Sequence, residues 1–208
     1  MTTNCFARFA FVILLGTSVT LSGCLGRSQP SRFYLLQSSL ILEETVLNQE
    51  GIKIALGPVS LPQHLDRPQI VTRVGENEFK LDEFNQWAET LSDNITLILG
   101  RNLAVLLSTK NIVLFTQQGA AQMDYQVKIN IVRFSGVPGG NARLRAHWFI
   151  FDTDSREILR LQVTDLIQPA DSQDPEALVS AMSKLLEGLS REIATTLQTL
   201  PQEDQPQK

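Results

Sequence analysis

Cysteine and histidine are scarce in this chain, and the scarcity removes whole classes of chemistry. The two cysteines are Cys5 and Cys24, both near the N-terminus. The rest of the chain therefore offers neither a disulfide nor a thiolate ligand. Two histidines, His64 and His147, do not make a histidine-based metal centre. Excess positive charge is missing too. The net charge is −4, one unit more negative once Arg8, the only charge in the first 23 residues, is removed. An acidic domain argues against nucleic acid as a partner and against adhesion to anionic lipid through charge. After the first apolar run there is no second one of membrane-spanning length.

Catalytic patterns are absent as well. No G-x-S-x-G elbow precedes either histidine. His64 stands in a turn-like stretch between Pro62 and Pro68, and His147 sits on a strand among aromatics, so both read as packing or surface residues. Gly139-Gly140 lies between two alternating strands with no helix or lysine after it, which makes it a hairpin rather than a phosphate loop. Asp152 and Asp154 lack EF-hand spacing and read as turn residues. Nothing here supports an enzyme, although a hydrolase remains one competing class. There is no internal repeat.

What the chain has is a Leu21-Ser22-Gly23-Cys24 box behind an uninterrupted apolar run. Arg8 supplies a positive n-region, and Phe9 to Val19 is an h-region too short to span a bilayer. Small residues directly before a cysteine form the recognition box of a bacterial lipoprotein signal peptide. Cleavage would remove residues 1–23 and leave Cys24 as the N-terminus, carrying a diacylglycerol and an N-acyl chain. Several chains on one cysteine anchor stably where a single one does not. No other cofactor is expected.

Residues 24–32 form a polar leash, 33–200 a single domain, and 201–208 a polar, disordered tail. Strands are expected at 33–36, 52–59, 69–74 and 78–81, with 37–51 as a connection. A helical face spans about 84–108 through Trp87, Leu91, Ile95, Ile98, Leu99, Leu103 and Leu106. Gly100 inside it suggests a close backbone approach. Strands follow at 112–115, 125–131, 144–150 and 159–163, with turns at 137–141 and 152–155. Asp174-Pro175-Glu176 opens a last helix with the stripe Leu178, Met182, Leu185, Leu189, Ile193 and Leu197, closed by Pro201. The pattern predicts an α+β fold, two long helices on a largely antiparallel sheet.

Two stretches are candidates for partner contact. One is the loop at 64–73, where Asp66, Arg67 and Arg73 read either as solvated turn charges or as a partner surface. The other is the odd face of the strand at 143–151, which changes from Arg143, Arg145 and His147 to Phe149 and Phe151. If both helices cover the even face, the two phenylalanines lie on the uncovered side and mark a contact. The other reading is that the first strands or the 37–51 loop fold over them.

Several blocks together carry a family resemblance. They are Phe33-Tyr34-Leu35-Leu36, Gly57 to Pro62, Leu65-Asp66-Arg67-Pro68-Gln69-Ile70-Val71-Thr72-Arg73, Trp87-Ala88-Glu89-Thr90-Leu91, Tyr125 to Phe134 and Ala146-His147-Trp148. The chain closely resembles the ABC-type transport auxiliary lipoproteins of the PqiC/YmbA kind over nearly its whole mature length. Thr90 stands where that family usually has Pro, which bears on the helix start. The resemblance implies a non-enzymatic lipoprotein at the outer-membrane end of a periplasm-spanning lipid conduit. Its partners would be an MCE-domain protein, ABC or membrane components, and possible further copies of the chain. Leu25 is not the Asp that commonly retains lipoproteins in the inner membrane, so the expected location is the periplasmic face of the outer membrane. The alternative is a structural or assembly lipoprotein of another envelope complex.

Overall fold

The computed structural model describes residues 29–40, 51–75, 77–115 and 123–200. The chain divides into two compact units, 1–30 and 31–208, and the account below concerns the second. The expected leader, Cys24, most of the leash, the centre of the 37–51 connection and the tail lie outside the described residues.

Among the described residues eight strands form one sheet. They are β1 (Arg32–Tyr34), β2 (Ile54–Ser60), β3 (Gln69–Arg73), β4 (Phe79–Trp87), β5 (Ile112–Leu114), β6 (Tyr125–Gly136), β7 (Asn141–Asp152) and β8 (Ile158–Pro169). Among the described residues two helices, α1 (Leu91–Leu106) and α2 (Pro175–Gln198), accompany the sheet. The long strand β6 is the hub. It pairs with β7 on one side, and on the other with β2 along its first half and β3 at its end. Beyond those partners lie β5, β4 and β1 on one side and β8 on the other.

The α+β class stands, but the sheet is mixed rather than largely antiparallel. Four pairings are parallel: β1 with β4, β2 with β5, β2 with β6 and β3 with β6. Among the described strands, β3–β4, β6–β7 and β7–β8 are the antiparallel pairs. Strand alternation reports which side chains are buried, not which strand lies alongside. β2 reaches β5 only after β3, β4 and α1, and such a long crossover delivers a parallel neighbour.

The first helix is shorter than its apolar spacing suggests. Residues 79–87 are strand, and Trp87 pairs with Tyr34 across β1 and β4 instead of opening a helical stripe. The cause is local. The Asp82 carboxylate accepts hydrogen bonds from the amides of Phe84 (3.1 Å) and Asn85 (3.0 Å) and from Asn85 Nδ2 (2.8 Å). This loops out residues in the strand, so the partners jump from Ile70–Asp82 to Gln69–Gln86. The strand then resumes as far as Trp87, whose four-residue distance from Leu91 mimics one helical turn. Thr90, the departure from the family pattern, is the N-cap of α1 and makes no side-chain cap bond.

α2 starts as its sequence directs. Asp174 caps it by accepting from the amide of Glu176 at 3.0 Å, and Pro175 fills the first helical position. All six residues of its expected stripe are buried. Both helices pack on one face of the sheet, α1 against β2 and β5, α2 against β6, β7 and β8, and they pack on each other. Burying a large aliphatic side chain there stabilises by roughly 1.5–3 kcal/mol. Gly136 ends β6 where any Cβ would come within 2.7 Å of both Ala142 Cα and Leu178 Cδ1, so only glycine lets α2 sit this close. Gly100 is different. A Cβ there meets only side-chain methyls at 3.6–3.9 Å, ordinary contact, so the expected close backbone approach does not exist.

Candidate functional site: the open face of the sheet

Period-two alternation gives β7 two unlike sides. Ala142, Leu144, Ala146, Trp148 and Ile150 are fully buried beneath the helices. Trp148 Nε1 donates to Thr164 Oγ1 at 2.9 Å, and the Thr164 hydroxyl donates in turn to the Glu192 carboxylate. The odd residues point away from the helices. Register then assembles the open face row by row: Gln126, Phe151 and Ile158; Lys128, Phe149 and Leu161; Asn130, His147 and Val163; Arg133, Arg145 and Asp165; Ser135, Arg143 and Ile167.

A bulge decides the character of the fourth row. Partners shift between Ile131 and Arg133, so Val132 is the extra residue and the parity of β6 flips behind it. Phe134 thereby enters the core at 1% exposure, and Arg133 moves to the open face. Alternation read from the sequence could not place these two, because the switch comes from pairing with β7.

Phe149 and Phe151 are half-buried and stacked on each other, with centroids 6.1 Å apart. The Lys128 ammonium sits 4.4 Å above the Phe151 ring. Ile158, Leu161, Val163 and Ile167 on β8 each keep more than half of their surface exposed. β8 is itself an edge, pairing only with β7. The described part of the 37–51 connection does not shelter these residues. It is strapped to the helices instead, with the Leu36 amide on Asn94 Oδ1 (2.8 Å), the Gln37 amide on Ser183 Oγ (3.1 Å), Ser38 on Asn102 and Ser39 on Glu187. Hydrogen bonds from Ser39 and Arg191 hold the Glu187 carboxyl below its ordinary pKa.

The loop at 64–73 divides its charged residues among different tasks. Asp66 accepts from the amide (3.4 Å) and hydroxyl (3.2 Å) of Ser92 in the first turn of α1. It supplies from another segment the carboxylate that Thr90 does not provide. The Arg67 side chain is exposed and makes no hydrogen bond or ion pair with a described residue. Arg73 lies over the Phe79 ring at 4.7 Å, and His64 packs on the same ring at 4.7 Å. Of the five candidate contact residues, Arg73, Phe149 and Phe151 thus share the open face, while Asp66 braces a helix start.

Other features are structural. Gly139 adopts φ +69° in the hairpin turn, where the Gly140 amide bonds the Val137 carbonyl. Asp152 accepts from the amides of Asp154 and Ser155 and from the Ser155 hydroxyl, and the Ser155 bonds hold its carboxyl below the ordinary range. A shallow groove of about 550 Å³ runs between Arg32–Ser39 and the first turns of α2. Among the described residues there is no group of three or more His, Cys, Asp or Glu placed to hold a metal ion. No described helix is long and apolar enough to cross a membrane.

A family model described as the ABC-type transport auxiliary lipoprotein component matches residues 34–194. No curated protein matches the chain. The fold is shared with two crystal structures. One, of an uncharacterized protein, has TM-score 0.67 at 15% identity, covering 81% of this chain and 99% of that one. The other is a Xanthomonas campestris protein of the DUF330 family, with TM-score 0.65 at 14% identity, covering 80% and 94%.

Proposed function

The chain belongs to the ABC-type transport auxiliary lipoprotein family, and from that premise we propose that it forms the outer-membrane end of an MCE/ABC-type lipid transport system. The family match over residues 34–194 is the observation that carries the reading. A transport auxiliary family is not an enzyme family, and the role proposed is attachment and docking rather than catalysis. Cys24, cleaved and acylated, holds the domain to the periplasmic face of the outer membrane. The stacked Phe149–Phe151 pair is the docking surface for an MCE-domain partner or a further copy of the chain. The 64–73 loop, with Asp66, Arg67 and Arg73, is a second one. The half-buried aromatics on the face that no helix covers, with an arginine-rich row on the same face, support this, since aromatic residues and arginine are enriched at interfaces.

The intact lipoprotein, captured from detergent-solubilised native membranes, should bring down an MCE-domain protein or an ABC permease. Recovery of proteins of a different envelope machine instead would replace this reading with that of an assembly lipoprotein. Phe149→Ser combined with Phe151→Ser should lower that capture without changing the melting temperature appreciably. Cys24→Ser should leave an uncleaved precursor that takes up no labelled fatty acid, and normal processing of that variant would rule out the anchor.

A further inference from the structure

Beyond His147 the open face is dominated by arginine. Arg133 lies directly opposite Arg145, and in the next row Arg143 lies opposite Ser135. Arg73 is near enough for its charge to act on Arg133. Like charges placed opposite each other on neighbouring strands destabilise a sheet, and this patch gathers them in a chain whose net charge is −4. Asp165 is the one described carboxylate that makes an ion pair there, at 3.9 Å from Arg145. The side chains of Arg133 and Arg143 make no hydrogen bond or ion pair with any described residue. The Nε of Arg133 is buried without an acceptor, an arrangement native proteins rarely keep without a reason. Burial, then the charges of Arg73 and Arg143, hold this guanidinium below its ordinary pKa.

Guanidinium groups are planar forks that match the oxygens of phosphate and carboxylate. We propose that Arg133, Arg143 and Arg145 form a binding site for a phosphate-class oxyanion on the open face of the sheet. A phosphate suits it better than a single carboxylate, because three arginines occupy neighbouring positions and a phosphate presents more acceptor oxygens and more charge. The site also leaves room for an apolar substituent. From His147 to Phe151 the face runs four residues, about 14 Å at the strand rise, past Val163, Phe149 and Leu161. One acyl chain spans a similar length, half of a hydrocarbon core about 30 Å thick. The oxyanion therefore has two candidate sources, free phosphate and a phospholipid headgroup. The site rests on the arginine geometry and not on the transport reading, which the membrane capture tests separately.

The test uses the full-length protein in a neutral detergent, titrated calorimetrically with inorganic phosphate and, separately, with phosphatidylglycerol in micelles of the same detergent. Saturable binding of at least one probe is expected, weakening as salt rises. Arg133→Gln and Arg143→Gln should each reduce the affinity at least tenfold, or ~1.4 kcal/mol. Tighter binding of phosphatidylglycerol than of phosphate, relaxed by Phe149→Ser for the lipid alone, identifies a headgroup with its tail on the apolar rows. Equal affinities identify free phosphate. No binding of either probe overturns the site, as does wild-type affinity in the arginine variants. Should Arg133→Gln fail to fold, Arg143→Gln on the neighbouring strand carries the same test.

Discussion

One strand, β7, carries two surfaces that obey different rules. Its even residues from Ala142 to Ile150 are fully buried, and every one is apolar. Its odd residues run from Arg143 through His147 to Phe151 and stay partly in water. The backbone is common to both, so the difference lies in what covers each side. Beneath α1 and α2, volume and apolarity are set by close packing, and a lost methyl group is felt. On the open side no helix packs, and side-chain type is set by cross-strand neighbours such as the Phe149–Phe151 stack and the Arg145–Asp165 pair. The same contrast appears at the two helix starts. α2 caps itself with Asp174, whereas α1 borrows Asp66 from a loop twenty-six residues away.

The sharpest test of the two-sided picture removes large side chains from each side. Leu185→Ala on α2, Ile95→Ala on α1 and Trp148→Ala on β7 should each cost about 2–5 kcal/mol, whereas Phe149→Ala should cost about 1 kcal/mol or less. Urea denaturation of the four variants settles it, and comparable losses for Trp148 and Phe149 would erase the distinction between the faces.

The borrowed cap comes next in size. Asp66→Ala should destabilise by about 0.5–2 kcal/mol, the range for a lost helix cap. An unchanged denaturation midpoint would mean that the loop does not brace α1. Gly100→Ala runs in the opposite direction. Because a Cβ there finds ordinary contacts, the substitution should raise stability by up to ~1 kcal/mol. A loss would show that the α1–β2 contact is tighter than its 3.6 Å spacing.

The smallest effect is set by pH at the far end of β7. Bonds from Ser155 depress the folded pKa of Asp152. Its contribution is therefore fully present above the ordinary aspartate value of about 3.9 and is lost as pH falls through the depressed folded value. Asp152→Asn should accordingly lose a little stability at neutral pH and be less acid-sensitive than the wild type. Parallel pH profiles of the denaturation midpoint for the two proteins would remove Asp152 from the turn's energetics.

Much of this was legible in the sequence. The Asp174-Pro175 start and stripe of α2, the alternation of β6 and β7 and the hairpin at 137–141 all stand as read, because each depends on neighbours in sequence. The helix at 84–108 was misread because the Trp87–Leu91 spacing is helical by coincidence, and the Asp82 turn that keeps residues 79–87 in a strand leaves no periodic signal. The candidate site was partly legible. Phe149 and Phe151 follow from parity on β7, but Arg133 does not, since its side is set by the bulge at Val132.

By itself the sequence determined the α+β class, the inward faces of β7, of the first half of β6 and of both helices, the lack of cysteine after Cys24 and the resemblance to a transport auxiliary lipoprotein family. The resemblance rests on the quoted motif blocks and the others on composition and short-range period, which need no partner. Only the tertiary structure decided that the sheet is mixed, that α1 begins at Leu91 and borrows its cap, that Gly100 is not a close approach, and that Arg133 joins Arg143 and Arg145 on the face that carries the half-buried phenylalanines. Each of those depends on which segment lies across from which. That is fixed by long-range pairing through β6, and no local window of residues contains it.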